Sequence, residues 1–384
     1  TEKQKDLARL LVDELKALGC SDAAMDAWGY VMATVPERLP AGHAPVPVLG
    51  LIAHLDTYPG TSGAQVKPQV IRRYAGGDVP LPGTGDAIPV SGNPNLAKCL
   101  GHTLVTSDGT TLLGADDKAG IAVILTLVAW LRDHPEVPHG RIRVGFTPDE
   151  EVGRGTEHFD VQAFAADYAY TVDGSDLGEV EDETFCADGA TVVVTGHDVH
   201  PGYAKDKMVN AVRAAAAIVE ALDTTALPET TEGRQAYLHP YDLKGDVNRA
   251  TLKLLVRAFT EEELTLQERA LERALAVAQA RFPGATFALE IKPSYRNMRY
   301  AIEKDSKVLE YALEAVRRQG IEPLQRAIRG GTDGARLSYM GLLTPNLWNG
   351  AQSYHSVHEW VSLAWMSASC ETCLQILQVW REKA

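Results

Sequence analysis

Apolar positions along the chain fall into two textures. In residues 5–18, Leu7, Leu10, Leu11, Leu15 and Leu18 share one stripe at helical spacing, which predicts an amphipathic helix with one buried face. Residues 46–53 (VPVLGLIA) are almost continuously apolar, the pattern of a strand covered on both faces as in a parallel sheet. A polar stretch rich in Gly and Pro follows, from Tyr58 to about Leu112, and reads as loop. Beyond it the pattern predicts a buried helix over residues 118–132, strands over 141–146 and 168–172, and a late strand over 342–348. Strands alternating with helices predict an α/β domain with a mostly parallel central sheet.

Between residues 188 and 301 the texture changes to strict alternation. Val192 and Val194 share one face; Leu252, Leu254, Val256 and Ala258 alternate with Thr251, Lys253, Leu255 and Arg257; Phe287, Leu289 and Ile291 repeat the pattern. Such strands pack one face and leave the other more open. Helices over 210–222 and 261–281 interleave with them. The expected organisation is a larger domain, residues 1–187 and 302–384, with a smaller α+β domain, 188–301, inserted into it. The larger domain resumes with a helix over 306–319.

A length of 384 residues fits two domains. With 37 basic against 51 acidic residues the net charge is −14. Phosphate binding needs clustered Lys and Arg, so nucleic acid is excluded as a partner. The longest apolar run, 121–131, is too short to span a membrane. Residues 1–19 are charged and amphipathic, so no secretory signal is expected there. Five scattered cysteines make a poor disulfide framework and fit a reducing, cytoplasmic compartment. Cys370 and Cys373 form a CxxC pair inside a helical pattern, where helix packing is the expected role rather than metal or redox chemistry.

Five short segments offer His, Asp or Glu: His54-Leu55-Asp56, Asp116-Asp117-Lys118, Asp149-Glu150-Glu151, Asp173-Gly174 and His355-Ser356-Val357-His358-Glu359. Four follow expected strands and the other precedes a helix. Binding sites of open α/β sheets gather at the carboxyl ends of strands, so one fold brings all five to one edge. Nitrogen and oxygen donors without Cys suit a catalytic zinc site rather than a structural one. Taken singly, each segment is ordinary surface chemistry; the case rests on all five together.

The segments AHLDT (53–57), LLGADDKAG (112–120), PDEEVG (148–153), VHPGYAK (199–205), RGGTDGA (329–335) and YHSVHE (354–359) resemble the peptidase T family of tripeptide aminopeptidases. That family is similar to carboxypeptidase G and aminoacylase within the di-zinc exopeptidases. The resemblance runs in order through nearly the whole chain. It implies a zinc-dependent aminopeptidase with a small peptide as substrate and two zinc ions per subunit. It also implies a lid domain through which many relatives dimerise.

By that resemblance, His54, Asp116 and Asp173 hold one zinc. Asp116, Glu151 and His355 hold the other, with Asp116 bridging. Asp117 and His358 stand as alternatives to their neighbours. Glu150 is the expected general base, and Asp56 the partner that fixes the His54 ring. In the inserted domain, His200 is expected to stabilise the oxyanion and Arg257 to grip a substrate carboxylate; the ordinary readings are a turn residue and a surface arginine. Asn210, Asn297 and Arg329 are weaker candidates with no assigned chemistry. The alternatives are a related dipeptidase, carboxypeptidase or N-acyl amino acid deacylase, since one dinuclear site serves all of these, and, more remotely, a peptide-binding protein without catalysis.

Overall fold

The apolar run ending at His54 forms the strand Leu49–His54, buried along its whole length. In the computed structural model, which describes residues 2–384, this strand lies inside an eight-stranded sheet. The order is Ala24–Met25, Val31–Val35, Ile142–Thr147, Leu49–His54, Tyr168–Gly174, Asn346–Trp348, Glu179–Thr184, Leu324–Ile328. The four strands from Ile142–Thr147 to Asn346–Trp348 run parallel. Val31–Val35 and Glu179–Thr184 flank them antiparallel. The fold is thus mixed α/β with a large sheet that is parallel at its centre, and the parallel strands end together at one edge.

The helix Ala115–Asp133 packs on the two central strands and on the C-terminal helix Leu363–Glu382. It starts at Gly114, whose φ of 78° suits glycine. Six residues on, Gly120 sits against the sheet so closely that a Cβ would lie 2.1 Å from the Val172 carbonyl oxygen. On Leu363–Glu382, burial pushes the Cys370 thiol up to about 11 and the Cys373 thiol further up. Both thiols pack as hydrophobes.

The stretch from Tyr58 to Leu112 is not the open loop its composition suggests. Gln69–Ile71 and Leu104–Thr106 join Trp360–Ser362 and Ala351–Gln352 in a small sheet. Tyr74, Val79, Leu81, Ile88, Leu96, Cys99 and Leu104 pack with Trp360 and Trp365 into a separate core. The apolar residues are too widely spaced for a periodic signal, and the tryptophans that gather them come from far along the chain.

The contacts divide the chain into two compact units. One comprises the residues up to Asp182, Met298–Arg326 and Thr332–Ala384; the other is Glu183–Asn297 with Ala327–Gly331, against an expected span of 188–301. The second unit holds an antiparallel sheet ordered Tyr237–Gly245, Arg249–Ala258, Cys186–Thr195, Thr286–Tyr295. Helices Ala211–Glu220 and Glu261–Arg281 pack on it. Leu252, Leu254, Val256 and Ala258 are buried while Lys253 is exposed and Arg257 half-buried, as the alternation requires. Asn210 caps Ala211–Glu220 by accepting the Arg213 N–H at 3.0 Å. Thr260 caps Glu261–Arg281 through the Glu263 N–H at 3.1 Å, with three glutamates in the first turn to complement the helix dipole.

Candidate metal centre

His54 ends its strand with a side chain only 3% exposed. Its Nε2 lies 2.9 Å from Asp116 Oδ1 and 3.5 Å from Asp173 Oδ1. Asp173 comes from the neighbouring parallel strand, where its N–H donates to Asn346 Oδ1 at 3.0 Å. The other oxygen of Asp116 faces away from His54: Oδ2 lies 3.3 Å from His355 Nε2, which is 2.8 Å from Glu151 Oε2. Two donor groups result, His54–Asp116–Asp173 and Asp116–Glu151–His355, each with its ligand atoms within 4.8 Å of one another. Asp116 belongs to both and offers one oxygen to each.

Asp117 and His358 do not join these groups. Asp117 is fully buried. Its carboxylate accepts the N–H groups of His54 and Gly120 at 3.0 and 3.1 Å and the Asn349 amide at 2.8 Å. It braces the strand end and the helix start instead. His358 pairs with Asp86 at 2.8 Å.

Asp56 has its carboxylate on two main-chain donors and beside the His54 imidazole. Oδ1 accepts the Glu150 N–H and Oδ2 the Glu151 N–H, each at 3.0 Å; His54 Nδ1 stands 3.3 Å from Oδ1. Burial raises its pKa, but these donors outweigh that and hold it below the usual range. Asp56 therefore positions both glutamates through their main chain as well as facing the histidine. Glu359, 1% exposed, does the same for the Asp116 turn. It accepts the N–H groups of Leu113, Gly114 and Asp116 at 2.8, 2.7 and 2.8 Å. Asp333 is a further buried carboxylate. Burial, with repulsion from Asp56, pushes it up to about 6; Gly155 leaves it room, since a Cβ there would fall 2.1 Å from Asp333 Oδ1. Asp333 lay unremarked inside RGGTDGA, and only its burial singles it out.

The electrostatics show how much negative charge the cluster gathers. Burial and the neighbouring Asp116 push Asp173 up to about 7. Burial also raises Glu150 and Asp117 well above the carboxylate range, helped by Asp333 and Asp173 respectively. Hydrogen bonding to Asp116 and Glu151 lifts His355 to about 10. His54 is raised against its burial by Asp173 and Asp116. Carboxylates that resist ionising beside imidazoles that hold protons mark excess negative charge that nearby groups do not neutralise. Divalent cations remove both effects at once. Glu151 Oε1 is buried with no hydrogen-bond partner among the described residues. The imidazole and carboxylate donors fit zinc, manganese or cobalt.

His200 and Arg257 belong to the second unit. His200 is exposed and its Nδ1 accepts the Gly202 N–H at 3.1 Å, capping the turn Pro201–Tyr203. Arg257 Nη1 donates to the carbonyls of Asp188 and Val256 at 3.1 and 2.9 Å, with the guanidinium 5.7 Å from the Tyr295 ring centroid. Asn297 is buried, bonding Glu183, Thr184 and Phe259. Arg329 donates to the carbonyls of Gly233 and Gln235.

Known proteins resemble this chain at both levels. The profile of Peptidase family M20/M25/M40 matches residues 86–379. A protein of Geobacillus kaustophilus (strain HTA426) named Peptidase T is 45% identical, covering 100% of this chain and 93% of its own length. One of Clostridium perfringens (strain 13 / Type A), also named Peptidase T, is 41% identical over the same shares. Among solved structures, an aminopeptidase PepT from Bacillus cereus ATCC 10987 superposes with a TM-score of 0.75 at 22% identity, covering 97% of this chain and 92% of its own. A Bacillus subtilis dinuclear metal-binding peptidase of the M20 family reaches 0.63 at 14% identity, covering 99% and 93%. Among the described residues, no helix is long and apolar enough to cross a membrane.

Proposed function

The chain belongs to peptidase family M20/M25/M40, and from that footing we propose that it is a metallo-aminopeptidase that cleaves the N-terminal peptide bond of tripeptides. The observation that carries this reading is Asp116, whose two oxygens face two different nitrogen–oxygen donor groups. A bridging carboxylate is what a pair of adjacent cations requires. Full-length relatives named Peptidase T support the substrate class.

We assign His54, Asp116 and Asp173 to one zinc and Asp116, Glu151 and His355 to the other. Two such ions supply Lewis-acid polarisation of the scissile carbonyl and make an adjacent water more acidic. Glu150 accepts the proton of the attacking water and returns it to the leaving amine nitrogen. Its neighbour Glu151 turns to His355, so adjacent glutamates divide the two tasks. Asp56 keeps both in place through their main-chain N–H groups. In the second unit, read as the lid and dimerisation domain, His200 donates to the tetrahedral oxyanion and Arg257 grips the substrate carboxylate. Five unpaired cysteines suit a cytoplasmic enzyme.

The test is a panel of unblocked tripeptides and their N-acetylated counterparts, given to zinc-restored protein. Release of the N-terminal residue from the unblocked set alone is expected. Preference for the acetylated set would replace the aminopeptidase reading with an N-acyl amino acid deacylase.

A further inference from the structure

His355 is held differently from every other ligand of the cluster. His54 is locked into a sheet, whereas the His355 side chain is 45% exposed. Its backbone has a φ of 60°, in the left-handed region uncommon for residues other than glycine. Two contacts hold the residue, both from the loop that follows Asp56. The Tyr58 ring lies flat on the imidazole, with centroids 4.2 Å apart and planes 9° apart. Thr61 Oγ1 donates to the His355 carbonyl at 2.9 Å. The loop is itself fixed: the Leu112 N–H donates to the Ser62 carbonyl at 3.0 Å. A Cβ on Gly60 would fall 2.4 Å from the Tyr58 ring, so only glycine lets the ring fold back.

The geometry points to Tyr58 and Thr61 as positioning residues for the cation site of Asp116, Glu151 and His355. The stack fixes the plane of the imidazole and the hydroxyl fixes its backbone. Together they aim Nε2 at Glu151 and Asp116, a task that burial performs for His54. This rests on the dinuclear reading of the site and adds a selective consequence. Loosening the loop weakens one ion and spares the one held by His54, Asp116 and Asp173. A ring stack and a neutral hydrogen bond are each worth about two- to tenfold in an equilibrium constant.

Calorimetric titration of zinc into chelator-stripped protein tests this, using wild type, Tyr58→Ala, Tyr58→Phe and Thr61→Val. Wild type should take two ions. Tyr58→Ala and Thr61→Val should bind one with unchanged affinity and the other about two- to tenfold more weakly. Tyr58→Phe keeps the stack and should match wild type. Unchanged binding of both ions in Tyr58→Ala, or equal weakening of both, overturns the assignment. A wild type that takes fewer than two ions overturns the dinuclear reading, and this inference with it.

Discussion

Replacing Asp56 with asparagine removes one acceptor from a carboxylate on which two main-chain donors converge beside the His54 imidazole. Oδ1 serves the Glu150 N–H and faces His54 Nδ1, while Oδ2 serves the Glu151 N–H. An amide has one oxygen, so in either orientation its NH2 meets at least one main-chain N–H. One charge-assisted hydrogen bond is lost and a buried donor is left unpaired, together costing about 2–3 kcal/mol. The damage falls on the turn Glu150–Val152. At 1.4 kcal/mol per decade, that turn should open about 30- to 150-fold more often. Amide hydrogen exchange at Glu150 and Glu151 reads this directly, in wild type and Asp56→Asn, both stripped of metal. Exchange should quicken by that factor, and activity in zinc should fall about 10- to 100-fold, the usual cost of disturbing a ligand's support. Unchanged exchange alongside lost activity would refute the main-chain role and leave Asp56 acting through His54 alone.

Three further outcomes follow from the same geometry. Glu150→Gln should lose about 10²–10⁴-fold in tripeptide hydrolysis while retaining wild-type metal content, measured by elemental analysis; an active variant would remove Glu150 as the base. In chelated protein, stability should fall as pH rises. Asp173 is raised from 3.8 to about 7 and His355 from 6.5 to about 10, so the folded chain binds protons more tightly than the unfolded one. The stability these groups contribute is present below 3.8 and 6.5 and is lost on passing about 7 and 10. Melting temperatures in a chelator should therefore drop from about pH 5 to about pH 9, and added zinc should lessen the drop; a steady rise in chelator would contradict it. Finally, Gly120→Ala puts a methyl 2.1 Å from the Val172 oxygen and 2.4 Å from Asp117 Oδ1. It should cost about 1–3 kcal/mol and lower the melting temperature by a few degrees; an unchanged melting curve would show that the helix has room to shift.

What could be read from the chain before its structure depended on how local the cause was. The strand Leu49–His54 and the helix Ala115–Asp133 announce themselves, because burial on nearly every side demands unbroken apolar runs. The helix Glu261–Arg281 was likewise expected over its observed span. The strand Glu179–Thr184 was not legible, since its sequence EVEDET carries acids that are buried only because distant partners meet them. Arg326 lies 3.2 Å from Glu179, and Asn346 donates to Glu181 at 2.6 Å. The resemblance preferred Asp116 to Asp117, but why Asp117 stands apart lies in its bond to the distant Asn349, and Glu359 finds its main-chain donors more than two hundred residues upstream. The five ligand-bearing segments were visible as chemistry at strand ends. Asp56 was expected beside His54, but its hold on the Glu150 and Glu151 main chain was not, nor was the support from Glu359, Tyr58 and Thr61, because these contacts leave no spacing pattern.

Asp116 is proposed to join two cations, and anomalous diffraction from crystals grown with zinc reads this. Two peaks about 3.5–4 Å apart are expected, one against each oxygen of Asp116, with His54 and Asp173 on one and Glu151 and His355 on the other. A single peak, or two that do not share Asp116, would contradict the account.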